Sequence, residues 1–350
     1  MQPEQVVRVG IAGFGMSANV FHLPFLVRDP RFKVVKIFER SGNKAAAKFP
    51  QITTVRTFAD LLADDVDLVI ITTPNLTHYA FAKQAIMAGK HVIVEKPLST
   101  TAAEAQELAQ LARQKQVKLS VYQNRRWDNG VLTMKQVLEN HLIGDIVDYE
   151  IHFDRYTQTK NSKQWKETGE RGVGLVYDLG VHLIDGVVHL FGLPNALYAD
   201  LRRQHPGSLG EDNFQIYFYY DDKKVVMSSS KYVREKGPTI ALHGTLGSYV
   251  KYELDNQEPL LIAGVEPKGS WNKEDQKYWG ILNTEINGVH IRTQLETVNG
   301  NYQAYYDNIY AALTSNEPLA VTADQAAIVL ELIEKVYQSA ETGVKINIKQ

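Results

Sequence analysis

At 350 residues the chain is longer than one core usually requires, so two domains are expected, and its 44% hydrophobic content is enough to fill both. A formal net charge of −2 with no basic stripe excludes counterion-driven nucleic-acid binding, and the lack of any cysteine excludes disulfides, Cys-ligated metals, iron–sulfur clusters and thiol nucleophiles. Met1-Gln2-Pro3-Glu4 shows no signal-peptide character and no apolar run reaches membrane-spanning length, which points to a cytoplasmic protein with neither nucleic-acid nor membrane partners.

Val6 to Ile11 reads as a buried strand that breaks into Gly13-Phe14-Gly15-Met16-Ser17-Ala18. A glycine at the first position permits a tight turn, the second lets backbone N–H groups approach a pyrophosphate, and a small third residue lets the following helix pack close. Val34 to Phe38 predicts a second strand ending at Glu39 and Arg40. An acid there accepts hydrogen bonds from adenosine ribose hydroxyls and favours NAD, whereas the neighbouring guanidinium suits the 2′-phosphate of NADP.

Asp67 to Thr72 predicts a buried strand ending in Thr73-Pro74-Asn75, followed by a helix over Tyr79 to Ala88. Next come a strand over His91 to Val94, Glu95-Lys96-Pro97 at its carboxyl end, a helix over Thr101 to Gln114 and a strand over Val117 to Val121. Strands alternating with helices predict a parallel α/β sheet, whose ligands bind beyond the carboxyl ends of the strands. Lys96 would face that edge as a proton-transfer or hydroxyl-polarising group, with Glu95 beside it. Asn75 and His78 are placed to touch the nicotinamide ribose or to start the next helix, and Pro97 is a candidate for a cis peptide.

Near residue 125 the texture changes, giving a nucleotide-binding domain over 1–125 and a substrate and oligomerisation domain over 126–350. Asn124-Arg125-Arg126-Trp127-Asp128 lies at this boundary, where its side chains can enter an interdomain cleft. After a helix near Val131 to Asn140 come two hairpins, Asn213 to Tyr220 with Lys224 to Ser230, and Ile240 to His243 with Ser248 to Tyr252. They predict a large, mostly antiparallel sheet. A helix over Ala323 to Thr342 and a strand over Val344 to Ile348 close the chain. Trp165 and Tyr156 read as packing groups.

Asp178 and His182, four residues apart, share a face if their segment is helical, and Asp185 and His189 extend it. The row suits an acid/base couple or metal ligands, and equally a helix-capping Asp with core histidines. Metal is disfavoured, since all ligands would come from one helix and there is no His-Glu-x-x-His.

In this order and spacing, the glycine turn with His22, Thr73-Pro74-Asn75 with His78, Glu95-Lys96-Pro97 and Tyr177-Asp178-Leu179-Gly180-Val181-His182-Leu183-Ile184-Asp185 resemble the Gfo/Idh/MocA oxidoreductase family over essentially the whole chain. Within it, the chain is similar to bacterial scyllo-inositol dehydrogenases through Tyr122-Gln123-Asn124-Arg125-Arg126-Trp127-Asp128, Phe153-Asp154-Arg155-Tyr156 and Gly247-Ser248-Tyr249-Val250-Lys251-Tyr252.

The resemblance implies an N-terminal Rossmann domain, a C-terminal α/β domain with a large open sheet, and a homodimer or homotetramer formed through that sheet. It also implies a catalytic group of Lys96, Asp178 and His182, acting with NAD or NADP on a hydroxyl of a cyclitol or sugar. Asn124, Arg126, Asp154 and Arg155 are the candidates for holding the remaining substrate hydroxyls. Some NADP-using relatives lack an acid at the Glu39 position, so the lean is to NAD. The alternatives are a dehydrogenase of another sugar (aldose, anhydrosugar or glucoside), a non-catalytic dinucleotide-sensing regulator, and a metal-assisted lyase using the Asp178 to His189 row.

Overall fold

The computed structural model describes residues 5–159 and 169–348, so residues 1–4 and Trp165 lie outside the described residues. The chain divides into two compact units.

The first unit carries strands β1 (Val7–Ala12), β2 (Phe32–Phe38), β3 (Thr53–Val55), β4 (Leu68–Ile71), β5 (His91–Val94) and β6 (Leu119–Val121). They form one sheet in the order β3-β2-β1-β4-β5-β6 with every pairing parallel, the doubly wound order of a Rossmann fold. Every residue of β4 is buried, as expected of a parallel sheet covered on both faces. Crossover helices include α1 (Leu23–Leu26), α2 (Lys44–Lys48), α3 (His78–Met87) and α4 (Ala102–Gln114). Helix α4 begins where Thr101 accepts a hydrogen bond from the Glu104 N–H while the Glu104 carboxylate accepts from the Thr100 N–H, which together satisfy otherwise orphaned helix-end donors.

This unit is not one continuous stretch, because Gln257–Trp271 and Asn301–Ile328 return to it. The physical reason is aromatic. Tyr302, Tyr305 and Tyr306 are fully buried, and Tyr305 meets Tyr122 edge-on with ring centroids 4.8 Å apart. Helices α7 (Gln257–Ile262) and α8 (Gln303–Thr314) are the returning elements.

The second unit holds helices α5 (Asn129–Glu139) and α6 (Val181–Phe191), and most of α9 (Ala323–Thr342). Its strands are β7 (Ile146–His152), β8 (Ala196–Arg202), β9 (Asn213–Tyr219), β10 (Lys224–Ser230), β11 (Ile240–Gly244), β12 (Gly247–Lys251), β13 (Gly280–Ile286), β14 (Val289–Leu295) and β15 (Ile346–Asn347). They form a nine-stranded sheet in the order β14-β13-β12-β11-β7-β10-β9-β8-β15, in which only the β7–β10 pairing is parallel. Both hairpins expected from the sequence pair in it. Phe214, Ile216 and Phe218 of β9 are fully buried while their neighbours alternate to the half-buried face, so one face of the sheet carries the core. Helix α6 packs on β10. Among the described residues no helix is long and apolar enough to cross a membrane.

Candidate active site

In the first unit, β1 ends at Ala12 and the chain turns at Gly13, whose φ of +104° is a left-handed conformation that favours glycine. A Cβ at Gly13 would lie 2.9 Å from Thr72 Oγ1, so the turn is closed against the end of β4. At Gly15 a Cβ would meet nothing within 4 Å, and Gly15 and Met16 are exposed while Phe14 and Ser17 are half-buried. Ala18–His22 then form a π-helical turn. A backbone cradle open at the second glycine, ahead of a helical turn and at the carboxyl edge of β1, fits a dinucleotide pyrophosphate.

The other cofactor candidates lie along the same edge. Glu39 follows β2, but its two carboxylate oxygens accept the N–H groups of Lys44 (3.2 Å) and Ala45 (3.1 Å), holding the loop that starts α2, while Arg40 is exposed. Thr73 and Thr77 share a hydroxyl–hydroxyl hydrogen bond of 2.6 Å, and Pro74 and Asn75 lead into α3.

His78, expected either to touch the cofactor or to start a helix, is the first residue of α3 and is completely buried. Its Nε2 lies 2.8 Å from the Thr73 carbonyl and its Nδ1 2.7 Å from the Pro97 carbonyl, so the ring ties two loops together. Burial pushes its pKa down, against the pull of both carbonyls. Both ring nitrogens being occupied, His78 does not present itself to a ligand.

The Lys96–Pro97 peptide is cis. Lys96 is half-buried, and its N–H donates to Glu95 Oε2 at 3.2 Å. Glu95 Oε1 accepts from the Ser17 hydroxyl and lies 3.0 Å from His22 Nε2. Asn124 is buried in a short helical turn, Asn124–Trp127.

In the second unit, Asp178 sits on a π-helical turn, Val176–Gly180, that runs directly into α6, where His182 is the second residue. Each unit therefore opens its site-bearing helix with a π turn, a feature frequent at functional sites. Glu211 holds this turn in place: its backbone carbonyl accepts the Leu175 N–H at 3.1 Å, and its Oε1 accepts the Val176 N–H at 3.0 Å and the Tyr337 hydroxyl at 2.7 Å. Burial raises the Glu211 pKa.

Asp178 lines a cavity of about 320 Å³ together with Arg155, Leu179, Glu211, Ser230 and Lys231. Arg155 is exposed and Lys231 half-buried, and among the described residues neither has a side-chain hydrogen bond or ion pair. His182 is buried and lines a separate pocket with Arg125, Phe153, Leu183 and Thr239 rather than the cavity beside Asp178.

Two substrate-binding candidates are committed elsewhere. Arg126 forms a buried, two-pronged ion pair with Asp185, both N–H···O distances being 2.7 Å, because Asp185 faces inward from α6. Asp154 Oδ1 accepts the Ser230 N–H at 2.9 Å and Oδ2 lies 3.3 Å from His152, so it fastens the chain after β7 to the end of β10. Of the four candidates, Arg155 alone lines the cavity with Asp178. Glu211, Ser230 and Lys231 were not singled out by sequence, and no local motif marks them. His189 is exposed, and Tyr156 lies under the Arg234 guanidinium rather than in a core. Among the described residues no cluster of three or more His, Asp or Glu could hold a metal ion.

Fold and glycine turn together define a dinucleotide-binding oxidoreductase with a second α/β unit. The family described as "Oxidoreductase family, NAD-binding Rossmann fold" matches residues 7–123, and "Oxidoreductase family, C-terminal alpha/beta domain" matches residues 135–348. The chain belongs to the Gfo/Idh/MocA oxidoreductase family and carries its NAD(P)-binding domain.

It is 37% identical to the oxidoreductase YdgJ of Escherichia coli (strain K12) over 96% of each chain. It is 35% identical to the scyllo-inositol 2-dehydrogenase (NADP(+)) IolW of Bacillus subtilis (strain 168), over 96% of this chain and 94% of that one. A crystal structure of an oxidoreductase from Bacteroides fragilis superposes with a TM-score of 0.90 at 41% identity, covering 98% of this chain and 100% of that one.

Proposed function

We propose that this oxidoreductase reversibly oxidises a secondary hydroxyl of a cyclitol, scyllo-inositol or a near isomer. The observation that carries the reading is the cavity beside Asp178, with the polar side chains of Arg155, Ser230 and Lys231 on its walls, at the head of the helix that bears His182. The naming of IolW as a scyllo-inositol dehydrogenase supports the same class.

Bound nicotinamide supplies the hydride acceptor. His182 takes the hydroxyl proton as general base, and Asp178 orients the imidazole and raises its basicity. Lys96 donates a hydrogen bond to the substrate oxygen and stabilises the alkoxide charge that develops there. Arg155 and Asn124 are the remaining candidates for holding further hydroxyls. Glu39, with its negative charge beside the ribose position, favours NAD over NADP by repelling a 2′-phosphate. A cytoplasmic location fits the cysteine-free composition. Self-association through the open sheet fits Val147 and Val289 standing exposed on β7 and β14, and sedimentation of the full chain reads it.

The test is a reduction screen of inositol isomers and monosaccharides with NAD and NADP in parallel. Ring polyols should react, and Lys96→Ala and His182→Ala should each lower turnover by about 10²-fold to 10⁴-fold with melting temperature retained. Reaction with aldoses and none with cyclitols would replace the substrate class. Tight nucleotide binding without any turnover would favour a sensing regulator.

A further inference from the structure

The fully buried His22 is fixed at both ring nitrogens, although nothing in the hydride-transfer scheme uses it. Its Nε2 lies 3.0 Å from Glu95 Oε1 and its Nδ1 2.7 Å from the Tyr306 hydroxyl, which arrives from α8. Burial alone would raise the Glu95 pKa, but hydrogen bonds from His22 and Ser17 outweigh it and hold the carboxyl below its ordinary value. An ionised carboxylate can only accept, so Nε2 carries a proton and donates to Glu95, while Nδ1 is held by the Tyr306 hydroxyl, which also reaches the Phe21 carbonyl at 3.4 Å. The His22 ring also lies against Tyr122, centroids 4.4 Å apart, and the Tyr122 hydroxyl donates to the Phe21 carbonyl at 2.8 Å. The imidazole has no room to turn.

Glu95 is the group this scaffold restrains. Its side chain is 13% exposed, and its oxygens take the hydroxyl of Ser17, inside the glycine turn, and the N–H of Lys96. A carboxylate at the edge of a pyrophosphate site is an electrostatic liability, since like charges a few ångströms apart repel strongly where water is scarce.

We propose that His22 and Tyr306 are positioning residues that keep the Glu95 carboxylate turned toward Ser17 and away from the dinucleotide phosphates, and thereby set nucleotide affinity. The proposal rests on the dinucleotide reading of the glycine turn. It makes Glu95 a brace rather than a ligand, with one carboxylate steadying both the nucleotide turn and the backbone of Lys96.

Fluorescence titration of the full-length protein with NADH and NADPH tests this without a substrate. His22→Leu should weaken both nucleotides by about tenfold, a loss of about 1.4 kcal/mol. His22→Gln, whose side-chain amide can still donate to Glu95, should bind nearly as the parent does. The double variant His22→Leu with Glu95→Gln should recover most of the affinity, because an uncharged amide no longer repels phosphate, a recovery that a purely structural role for His22 would not produce. Tyr306→Phe, which removes one hydroxyl, should show a smaller loss in the same direction and serves if His22→Leu does not fold. Parent-like affinity in His22→Leu, or no recovery in the double variant, overturns the proposal. A parent protein that binds neither nucleotide overturns the cofactor reading and the proposal with it, and is distinguishable from those outcomes by that measurement alone.

Discussion

Around the glycine turn, Ser17, Glu95, His22 and His78 commit polar atoms to one another, to the Tyr306 hydroxyl or to backbone groups. Around Asp178 the second unit does the reverse with its cations: Arg155 and Lys231 stand at the cavity wall without a side-chain partner among the described residues, while Arg126 is sealed beneath by Asp185. Under the proposed function, the difference follows from what each unit would recognise. A dinucleotide phosphate is met by backbone N–H groups, so side chains serve to shape the backbone. A polyol ring offers hydroxyls in several directions and has to be met by side chains themselves, so some must remain available.

The sharpest way to break this contrast is to exchange the roles of the two arginines. Arg126→Ala leaves Asp185 buried and unpaired and should cost about 3–5 kcal/mol of stability, read as a fall in the denaturant midpoint. Arg155→Ala should stay within about 0.5 kcal/mol of the parent and act on substrate KM instead. Equal destabilisation by both would mean that Arg155 is as structural as Arg126.

A second comparison lies within the glycine turn. Gly13→Ala forces a side chain into a φ of +104° against Thr72. It should cost about 1–3 kcal/mol and lower the melting temperature. Gly15→Ala meets open space in the protein, so it should leave the melting temperature alone and weaken NAD(P)H binding. A drop in stability at Gly15 would show that the cradle is closed rather than open.

The smallest effect belongs to His152, on the second unit's sheet. Its hydrogen bond to Asp154 raises its pKa above the ordinary 6.5, despite partial burial. With the folded-state pKa raised, its stabilising contribution is complete below the unfolded value and disappears as pH rises through the folded one. Melting temperatures of the parent and His152→Gln should therefore diverge at pH 5.5 and converge toward pH 8.5, values placed on either side of the ordinary histidine range of about 6.5. A constant difference across that range would remove the ion pair from the account.

How legible each part was in sequence follows the same division. The strand over His91 to Val94 and the helix over Ala323 to Thr342 fall where their residue patterns place them, because a bounded apolar run and a long helical period are local signals. The glycine turn and Glu95-Lys96-Pro97 are local too. Strand β7 and the β13–β14 hairpin are absent from the expected elements although each has a turn signal beside it: Gly144-Asp145 directly precedes β7, and Asn287-Gly288, both with positive φ, turns the hairpin. Arg126 looked available because its partner lies 59 residues further on, and His22 gave no hint of Tyr306, 284 residues away. Such pairings are products of the fold, and no spacing rule announces them.

The return of Asn301–Ile328 to the first unit bears on how the protein is made. The nucleotide turn leaves the ribosome well before its supports do: Ser120 waits for the carbonyl of Val321, Tyr122 for the ring of Tyr305, and His22 for Tyr306, 284 residues later. The segment through Tyr306 has to be synthesised before that turn acquires its support. A fragment ending near residue 124 would contain every glycine of the turn and still leave Tyr122 and His22 facing water. The motif that reads as the most self-contained piece of the sequence is thus among the last to be finished, and its unit cannot be released by a single cut.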